Sequence, residues 1–146
     1  MRLLLDTCTF LWIITDAPDL SKHARDLFSD PGNDVFLSTV SIWEIVVKYR
    51  LGKLPLPEPP DRFIPAQRER HAIEPLALDE ESTLYLTRLP DLHRDPFDHM
   101  LICQAIRHGL VLLTPDHLIH STLFVQGGDN TEIMADRKCL FREVCS

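Results

Sequence analysis

Short apolar runs along the chain alternate with longer segments in which apolar residues recur at helical spacing. The runs at residues 3–5, 35–37 and 110–113 are apolar at every position, as expected of parallel strands that are covered on both faces. Most of the segments between them begin with capping residues, which is typical of helices. Strands that alternate with helices in this way form right-handed crossovers. The predicted fold class is therefore α/β, with a central parallel sheet flanked by helices.

Capping and turn residues set the limits of the predicted elements. Thr7 is the expected cap of the first helix, Gly52 ends the third helix and Gly109 ends the last. A proline-rich stretch at residues 55–60 predicts an extended linker, and Pro65 is expected to interrupt the weak helix that follows. The predicted strands cover residues 2–5, 35–37, 73–78 and 110–113, and the predicted helices cover residues 7–14, 21–28, 41–51, 61–70, 79–89 and 96–108.

The composition is that of an ordinary globular chain. Its 146 residues are enough for one domain with its own core, and 45% of them are hydrophobic. With 15 basic and 22 acidic residues the net charge is -7, which argues against a protein that coats nucleic acid but does not exclude a nuclease. No apolar run approaches the roughly 18 to 20 residues of a membrane span, and no signal-peptide pattern is present. We therefore expect a cytoplasmic protein.

Two acidic residues lie where an α/β sheet usually binds its ligand. Asp6 follows the first predicted strand and Asp116 follows the fourth. In such sheets the ligand crevice lies outside the carboxyl ends of the strands. Either residue could instead be a turn residue or a helix cap, so the position alone does not decide between these roles.

Glu44 lies in a helical segment that is apolar in almost every direction. A carboxylate on such a surface is costly unless it is paired or bound to a metal, which favours a functional role. The alternative is an ion pair with Lys48, one helical turn later.

The last predicted helix begins with two further acidic residues. Asp95 fits the capping position and Pro96 fits the first helical position, so Asp95 is expected to be structural. Asp98 falls at the third position, where it fits either a capping interaction or the edge of a ligand crevice.

Four carboxylates that converge on one crevice need a cation. Two unit charges about 4 Å apart repel by roughly 4 kcal/mol at an effective dielectric constant of 20. A ligand set made only of oxygens selects Mg²⁺ or Mn²⁺, and such sites usually bind phosphate oxygens. The histidines and cysteines do not show the spacing of a zinc site.

Four segments carry the acidic candidates in a fixed order. They are LLLDT at residues 3–7, SIWEIVVKYRLGKL at 41–54, HRDPFD at 93–98 and LTPD at 113–116. Together they closely resemble the motifs of PIN-domain ribonucleases, and in particular those of the VapC-like toxins of toxin-antitoxin pairs. The resemblance runs from residue 1 to about residue 120 and implies a PIN-like fold.

The resemblance also implies a function. It assigns Asp6, Glu44, Asp98 and Asp116 to one metal site that uses Mg²⁺, with Mn²⁺ as a substitute. The implied activity is the cleavage of RNA phosphodiester bonds by a metal-activated water. The implied partners are an RNA substrate, a cognate antitoxin that neutralises the toxin, and a second copy of the chain in a homodimer.

The resemblance does not extend to the end of the chain. We assign residues 1–125 to a PIN-like nuclease domain and residues 126–146 to an atypical C-terminal tail. This tail could be a native element, a divergent last strand or a poorly ordered segment, and all four acidic candidates precede it.

Basic residues are concentrated in one stretch of this acidic chain. Residues 48–70 carry six basic residues against three acidic ones. Lys48, Arg50 and Lys53 are therefore candidates for contacts with RNA phosphates. The alternative is an ordinary solvated surface.

Two other functions stay open from the sequence. A haloacid-dehalogenase-like phosphatase would use Asp6 as a nucleophile, but Cys8 stands where that chemistry needs a second Asp. A non-catalytic PIN-fold protein-binding module would keep Glu44 and Asp98 in structural pairs. The presence of all four acids favours the nuclease.

Overall fold

The computed structural model of the protein describes residues 1–89 and 95–114 and the backbone of residues 133–135. In these residues, five parallel strands form one sheet that is packed between helices, which confirms the predicted α/β class. The strands are β1 (Arg2–Leu5), β2 (Asp34–Ser38), β3 (Ile73–Leu76), β4 (Val111–Thr114) and β5 (Ile133–Ala135). The helices are α1 (Thr7–Thr15), α2 (Lys22–Ser29), α3 (Thr39–Arg50), α4 (Pro60–Arg70), α5 (Glu80–Leu84) and α6 (Pro96–His108).

The central strand of the sheet is β1, since the strand order is β3-β2-β1-β4-β5. Residues 3–5 pair in parallel register with residues 35–37 on one side and residues 111–113 on the other. These three residues of β1 are buried. A strand covered on both faces has no solvated side, which is why its sequence shows an apolar run rather than an alternation.

The two faces of the sheet bury separate apolar clusters, because successive side chains of a strand point to opposite sides. Leu3 and Leu5 pack with Phe10 of α1 in the larger cluster. Leu4 packs with Leu101 of α6 in the smaller one. All five side chains are completely buried, and burying each is worth roughly 1.5 to 3 kcal/mol. This packing fixes α1 and α6 on opposite faces of the sheet.

The caps of two helices lie earlier in the chain than predicted. Asp6, rather than Thr7, caps α1. Helix α3 begins at Thr39, two residues before the predicted start, because Ser38 Oγ accepts a hydrogen bond from the backbone N–H of Val40 at 3.0 Å. Both caps follow directly from the end of a strand, so short connections link β1 to α1 and β2 to α3.

Two other predicted helices were wrong in detail. Pro65 does not interrupt α4, which includes it without a break. Pro60 occupies the first helical position, where its missing N–H costs nothing, and Ile64 anchors α4 in the core at 2% exposure. The helix predicted at residues 79–89 is divided, because α5 ends at Leu84 and a 3-10 turn (Tyr85–Arg88) follows. Among the helices of the described residues, none has the length and apolar character that a membrane span requires.

The strand order reverses between β1 and β4. The chain builds the sheet from β1 through β2 to β3, and β4 then pairs with the other side of β1. The carboxyl ends of β1 and β4 therefore flank a switch point, where open α/β sheets usually bind ligands. Outside β4 lies β5, which pairs with it in parallel and falls within residues 126–146. The domain limit at residue 125 stays a prediction.

Candidate active site

Asp6 lies at this switch point, between the end of β1 and the start of α1. It is 5% exposed. Its Oδ1 accepts a hydrogen bond from the backbone N–H of Thr9 at 2.7 Å, and its Oδ2 accepts one from Thr114 Oγ1 at 2.6 Å. Thr114 is the last residue of β4, so the second bond crosses from β4 to β1. Both carboxylate oxygens are therefore fixed in orientation.

The pKa of Asp6 is raised from its usual 3.8 to about 6. Burial is the largest cause, and the negative charge of Glu44 adds to it, while the hydrogen bonds from Thr114 and Thr9 act in the opposite direction. The charged form of this carboxylate is therefore unfavourable despite its hydrogen bonds. A cation bound next to Asp6 would remove that cost.

Glu44 of α3 is buried and held by two groups. Its Oε1 accepts a hydrogen bond from Thr7 Oγ1 at 2.6 Å, and its Oε2 forms an ion pair with Lys48 Nζ at 2.5 Å. Glu44 is 4% exposed and Lys48 is 9% exposed. The ion pair with Lys48, which the sequence offered as the alternative, is therefore confirmed, and the functional role of Glu44 stays a prediction. Lys48 lies inside the protein next to a candidate ligand.

The start of α6 has the cap that the sequence predicts. Asp95 Oδ1 accepts a hydrogen bond from the backbone N–H of Phe97 at 2.9 Å, and Pro96 is the first helical residue. This confirms the predicted helix cap at Asp95. Asp98 is the third residue of α6 and is half-buried, so it stays the candidate ligand on this helix.

The carboxylate cluster is only partly assembled in the described residues. In residues 1–89 and 95–114, no three His, Cys, Asp or Glu side chains form a group that could hold a metal ion. Asp6 and Glu44 interact electrostatically in this part of the chain, but Asp98 does not join them in such a group. Asp116 lies outside the described residues. The site with four carboxylates therefore stays a prediction.

Two threonines orient the buried acids, and the sequence did not single them out for that role. Thr7 donates to Glu44, and Thr114 donates to Asp6. Both bonds join residues far apart in the chain, so the sequence does not predict these pairs. It does show the two hydroxyl residues at the ends of predicted strands. Thr7 is the residue after Asp6, and Thr114 ends the fourth strand.

A buried amide connects α6 to the start of α3. Gln104 is completely buried. Its Oε1 accepts a hydrogen bond from Ser38 Oγ at 2.5 Å, and its Nε2 donates one to the carbonyl oxygen of Ala77 at 3.2 Å. Because Ser38 caps α3, Gln104 helps to fix the helix that carries Glu44. In the sequence, the feature that could have indicated this role is a single amide side chain among apolar residues of α6.

The remaining candidates for RNA contacts are on the surface. Arg50, at the end of α3, and Lys53, just after it, are exposed. They therefore differ from Lys48, whose ammonium group pairs with Glu44.

The sequence that forms this crevice matches a known protein family. The family model of the PIN domain matches residues 3–122. The chain belongs to the PIN domain family. The matched residues include all four acidic candidates, and the match confirms the resemblance found from the motifs.

One curated protein is similar to about half of this chain. Ribonuclease VapC16 of Mycobacterium tuberculosis is 39% identical over 69 residues, which cover 47% of this chain and 49% of that protein. The match thus spans about half the length of that curated relative.

Solved structures with the same fold include VapBC2 of Rickettsia felis bound to a promoter DNA fragment, with a TM-score of 0.64 and 18% identity. That match covers 92% of this chain and 98% of the other. VapBC-1 of nontypeable Haemophilus influenzae has a TM-score of 0.60 and 16% identity, over 94% of this chain and 100% of the other. At these identities the likeness is one of fold.

Proposed function

We propose that this PIN domain is a metal-dependent endoribonuclease that acts as the toxin of a toxin-antitoxin pair. The observation that carries the proposal is the buried carboxylate of Asp6, whose pKa is raised to about 6 at the switch point of the sheet. Glu44 contributes a second buried carboxylate beside it. Buried acids with perturbed pKa values in a sheet crevice are typical of functional sites.

The donor atoms fit Mg²⁺, with Mn²⁺ as a substitute. Carboxylate oxygens are the ligands that these hard cations prefer. Asp6 and Glu44 supply them in the described residues, and we propose Asp98 and Asp116 as the further ligands. Because the charged form of Asp6 is unfavourable without a cation, the site is suited to bind one.

A bound cation supplies the Lewis acidity that activates a water for attack on a phosphodiester and offsets the charge that develops there. The side chains of the protein have separate tasks. Thr114 and the backbone N–H of Thr9 keep Asp6 in one orientation. Thr7 does the same for Glu44. The expected cleavage product carries a 5′ phosphate.

The RNA backbone is proposed to contact the basic residues near the end of α3. Arg50 and Lys53 are exposed and can reach phosphates outside the crevice. Lys48 is buried at Glu44, so it is proposed to act on a phosphate only within the crevice. Few such contacts are available to a chain with a net charge of -7.

The proposed partners are a cognate antitoxin and a second copy of the chain, in the cytoplasm. VapBC-5 of Mycobacterium tuberculosis, whose TM-score to this chain is 0.52, is described as a member of a family of toxin-antitoxin systems. Expression with and without the neighbouring small reading frame tests the proposal. We expect growth arrest that the neighbour relieves and that Asp98→Ala abolishes. Harmless expression of the folded protein would favour the alternative of a protein-binding module.

Cleavage of a structured RNA, with Mg²⁺ or Mn²⁺ and with EDTA, tests the enzymatic part directly. Asp6→Asn removes the buried charge, and Asp34→Asn is the matched control because Asp34 is exposed at the start of β2. Wild type and Asp34→Asn are expected to cleave only with the metal, and Asp6→Asn is expected not to cleave. Cleavage that resists EDTA in wild type and Asp6→Asn alike would refute the metal mechanism.

A further inference from the structure

An exposed aromatic residue immediately precedes one of the candidate carboxylates in the chain. Trp43, which immediately precedes Glu44 on α3, is 59% exposed. Its ring contacts the ring of Phe97 in a T-shaped arrangement, with centroids 4.9 Å apart and planes at 74°. Phe97 immediately precedes Asp98 on α6. The aromatic pair therefore connects the two helices that carry these acids.

We propose that Trp43 is a stacking platform for an unpaired nucleobase of the RNA, next to the phosphate that is cleaved. The inference rests on the proposed ribonuclease function and adds how the substrate is positioned. Trp43 adjoins Glu44 on α3 and contacts Phe97, which adjoins Asp98 on α6, so the proposed occupant of the indole is the nucleotide next to a phosphate bound by these acids. The contact with Phe97 holds the indole without covering it.

Stacking suits this protein because it does not depend on charge. The chain has a net charge of -7, so only a few local contacts with phosphates, such as those proposed for Arg50 and Lys53, contribute to binding. Stacking on an aromatic ring is available to every base, but only where the base is not already stacked in a duplex. Trp43 should therefore favour unpaired nucleotides at the cleavage site with little preference for base identity.

The position of Trp43 favours a nucleotide over a protein as its occupant. A second copy of this chain would also cover an exposed tryptophan. However, Trp43 and Phe97 each adjoin a carboxylate proposed to act on the phosphodiester, and a nucleotide is the part of the substrate nearest to that phosphate. Interaction with a second copy is an outcome that the experiment below detects.

Tryptophan fluorescence provides the first test, with the full chain in EDTA so that RNA is bound but not cleaved. The chain has two tryptophans, and Trp12 is completely buried, so quenching by acrylamide reports on Trp43. The probes are a single-stranded RNA of nine nucleotides and the same RNA with abasic central positions. We expect the intact RNA to protect Trp43 from acrylamide and the abasic RNA to leave it accessible.

Binding by variants provides the second test. Trp43→Ala should weaken binding of the intact RNA by about 5- to 150-fold, as expected for the loss of one stacked base, and leave binding of the abasic RNA unchanged. Trp43→Phe should retain most of the affinity. Leu84→Ala is the matched control, since Leu84 is 61% exposed on α5, and it should bind both RNAs as wild type does.

Equal binding of both RNAs by wild type, without protection of Trp43, would overturn the proposal. A variant that changes the oligomeric state by light scattering but keeps its RNA affinity would also overturn it, and would assign Trp43 to contacts with a second copy. Cleavage measured in parallel separates this inference from the proposed function. If Trp43 is protected but no metal-dependent cleavage occurs, stacking holds and the ribonuclease proposal fails.

Discussion

Replacing Asp6 with Asn should stabilise the metal-free protein at neutral pH, even though it removes a proposed ligand. Burial raises the pKa of Asp6 from 3.8 to about 6. This shift of about two pKa units lowers the free energy of unfolding by about 3 kcal/mol at pH values above both pKa values. Asn is nearly isosteric with Asp and carries no charge, so the variant avoids this cost.

The expected gain depends on pH in a defined direction. Below about pH 3.8 the carboxyl group is protonated in the folded and unfolded chains alike, and it carries no penalty. As the pH rises through about 6, the folded protein loses about 3 kcal/mol relative to the variant. At pH 5 about half of that difference is expected, because the unfolded chain has already ionised while the folded chain has not.

The local hydrogen bonds should survive the change. The backbone N–H of Thr9 donates to Oδ1 of Asp6, and the amide oxygen of Asn can accept the same bond. Thr114 Oγ1 donates to Oδ2, and after rotation of the hydroxyl it can accept a bond from the Asn amide instead. Any imperfection in these bonds reduces the gain below 3 kcal/mol.

Urea and thermal unfolding in EDTA at pH 5 and pH 7.5 measure the effect. At about 2 to 4 °C per kcal/mol, the melting temperature of Asp6→Asn should exceed that of wild type by several degrees at pH 7.5, and by about half as much at pH 5. Asp34→Asn removes an exposed charge and should change stability little at either pH. A gain for Asp6→Asn of the same size at both pH values, or a loss of stability at pH 7.5, would refute the reasoning.

Three further predictions concern other parts of the site. Asp95→Ala should lower the free energy of unfolding by about 0.5 to 2 kcal/mol and retain some cleavage. Asp98→Asn should keep or slightly raise stability and abolish metal-dependent cleavage. The reverse pattern in thermal melts and cleavage rates would place the ligand on Asp95. Reversing Arg50 and Lys53 to Glu should weaken RNA binding and flatten its salt dependence without changing Mn²⁺ affinity, and an unchanged salt slope would contradict the proposed contacts. Gln104→Leu should cost about 1 to 3 kcal/mol in urea unfolding, because the buried hydroxyl of Ser38 loses its acceptor and the carbonyl of Ala77 loses its donor. An unaltered midpoint would show that these groups find other partners.

The elements that the sequence predicted well are those encoded by neighbouring residues. The buried strands appear as uninterrupted apolar runs because a parallel strand has no solvated face. The sequence predicted the cap at Asp95 and offered the ion pair of Glu44 with Lys48, because each joins residues within one helical turn. The structure confirms both contacts. Pro65 shows the limit of such reasoning. Its neighbour Ile64 is buried in the core, and this tertiary contact outweighs the local effect of the proline.

The contacts that the sequence could not supply are those between distant residues. The bond from Thr114 to Asp6 joins positions 108 residues apart, and the bond from Ser38 to Gln104 joins positions 66 residues apart. Local periodicity carries no information about such pairs. The position of Asp6 could be predicted because it follows the first strand. The position of Thr114 beside Asp6 follows only from the strand order in the structure.

The two buried acids are neutralised in different ways, and this difference determines where a cation has most to offer. Glu44 has Lys48 of the same helix at 2.5 Å, so the fold already supplies it with a positive charge. Asp6 accepts hydrogen bonds from Thr9 and Thr114 within the described residues, and these bonds do not offset the effect of burial on its pKa. A divalent cation held by these acids would therefore relieve the cost at Asp6 first, because the charge of Glu44 is already offset by Lys48. The stability cost of the metal-free site is therefore concentrated in Asp6, whose two carboxylate oxygens are both held by hydrogen bonds at the switch point of the sheet.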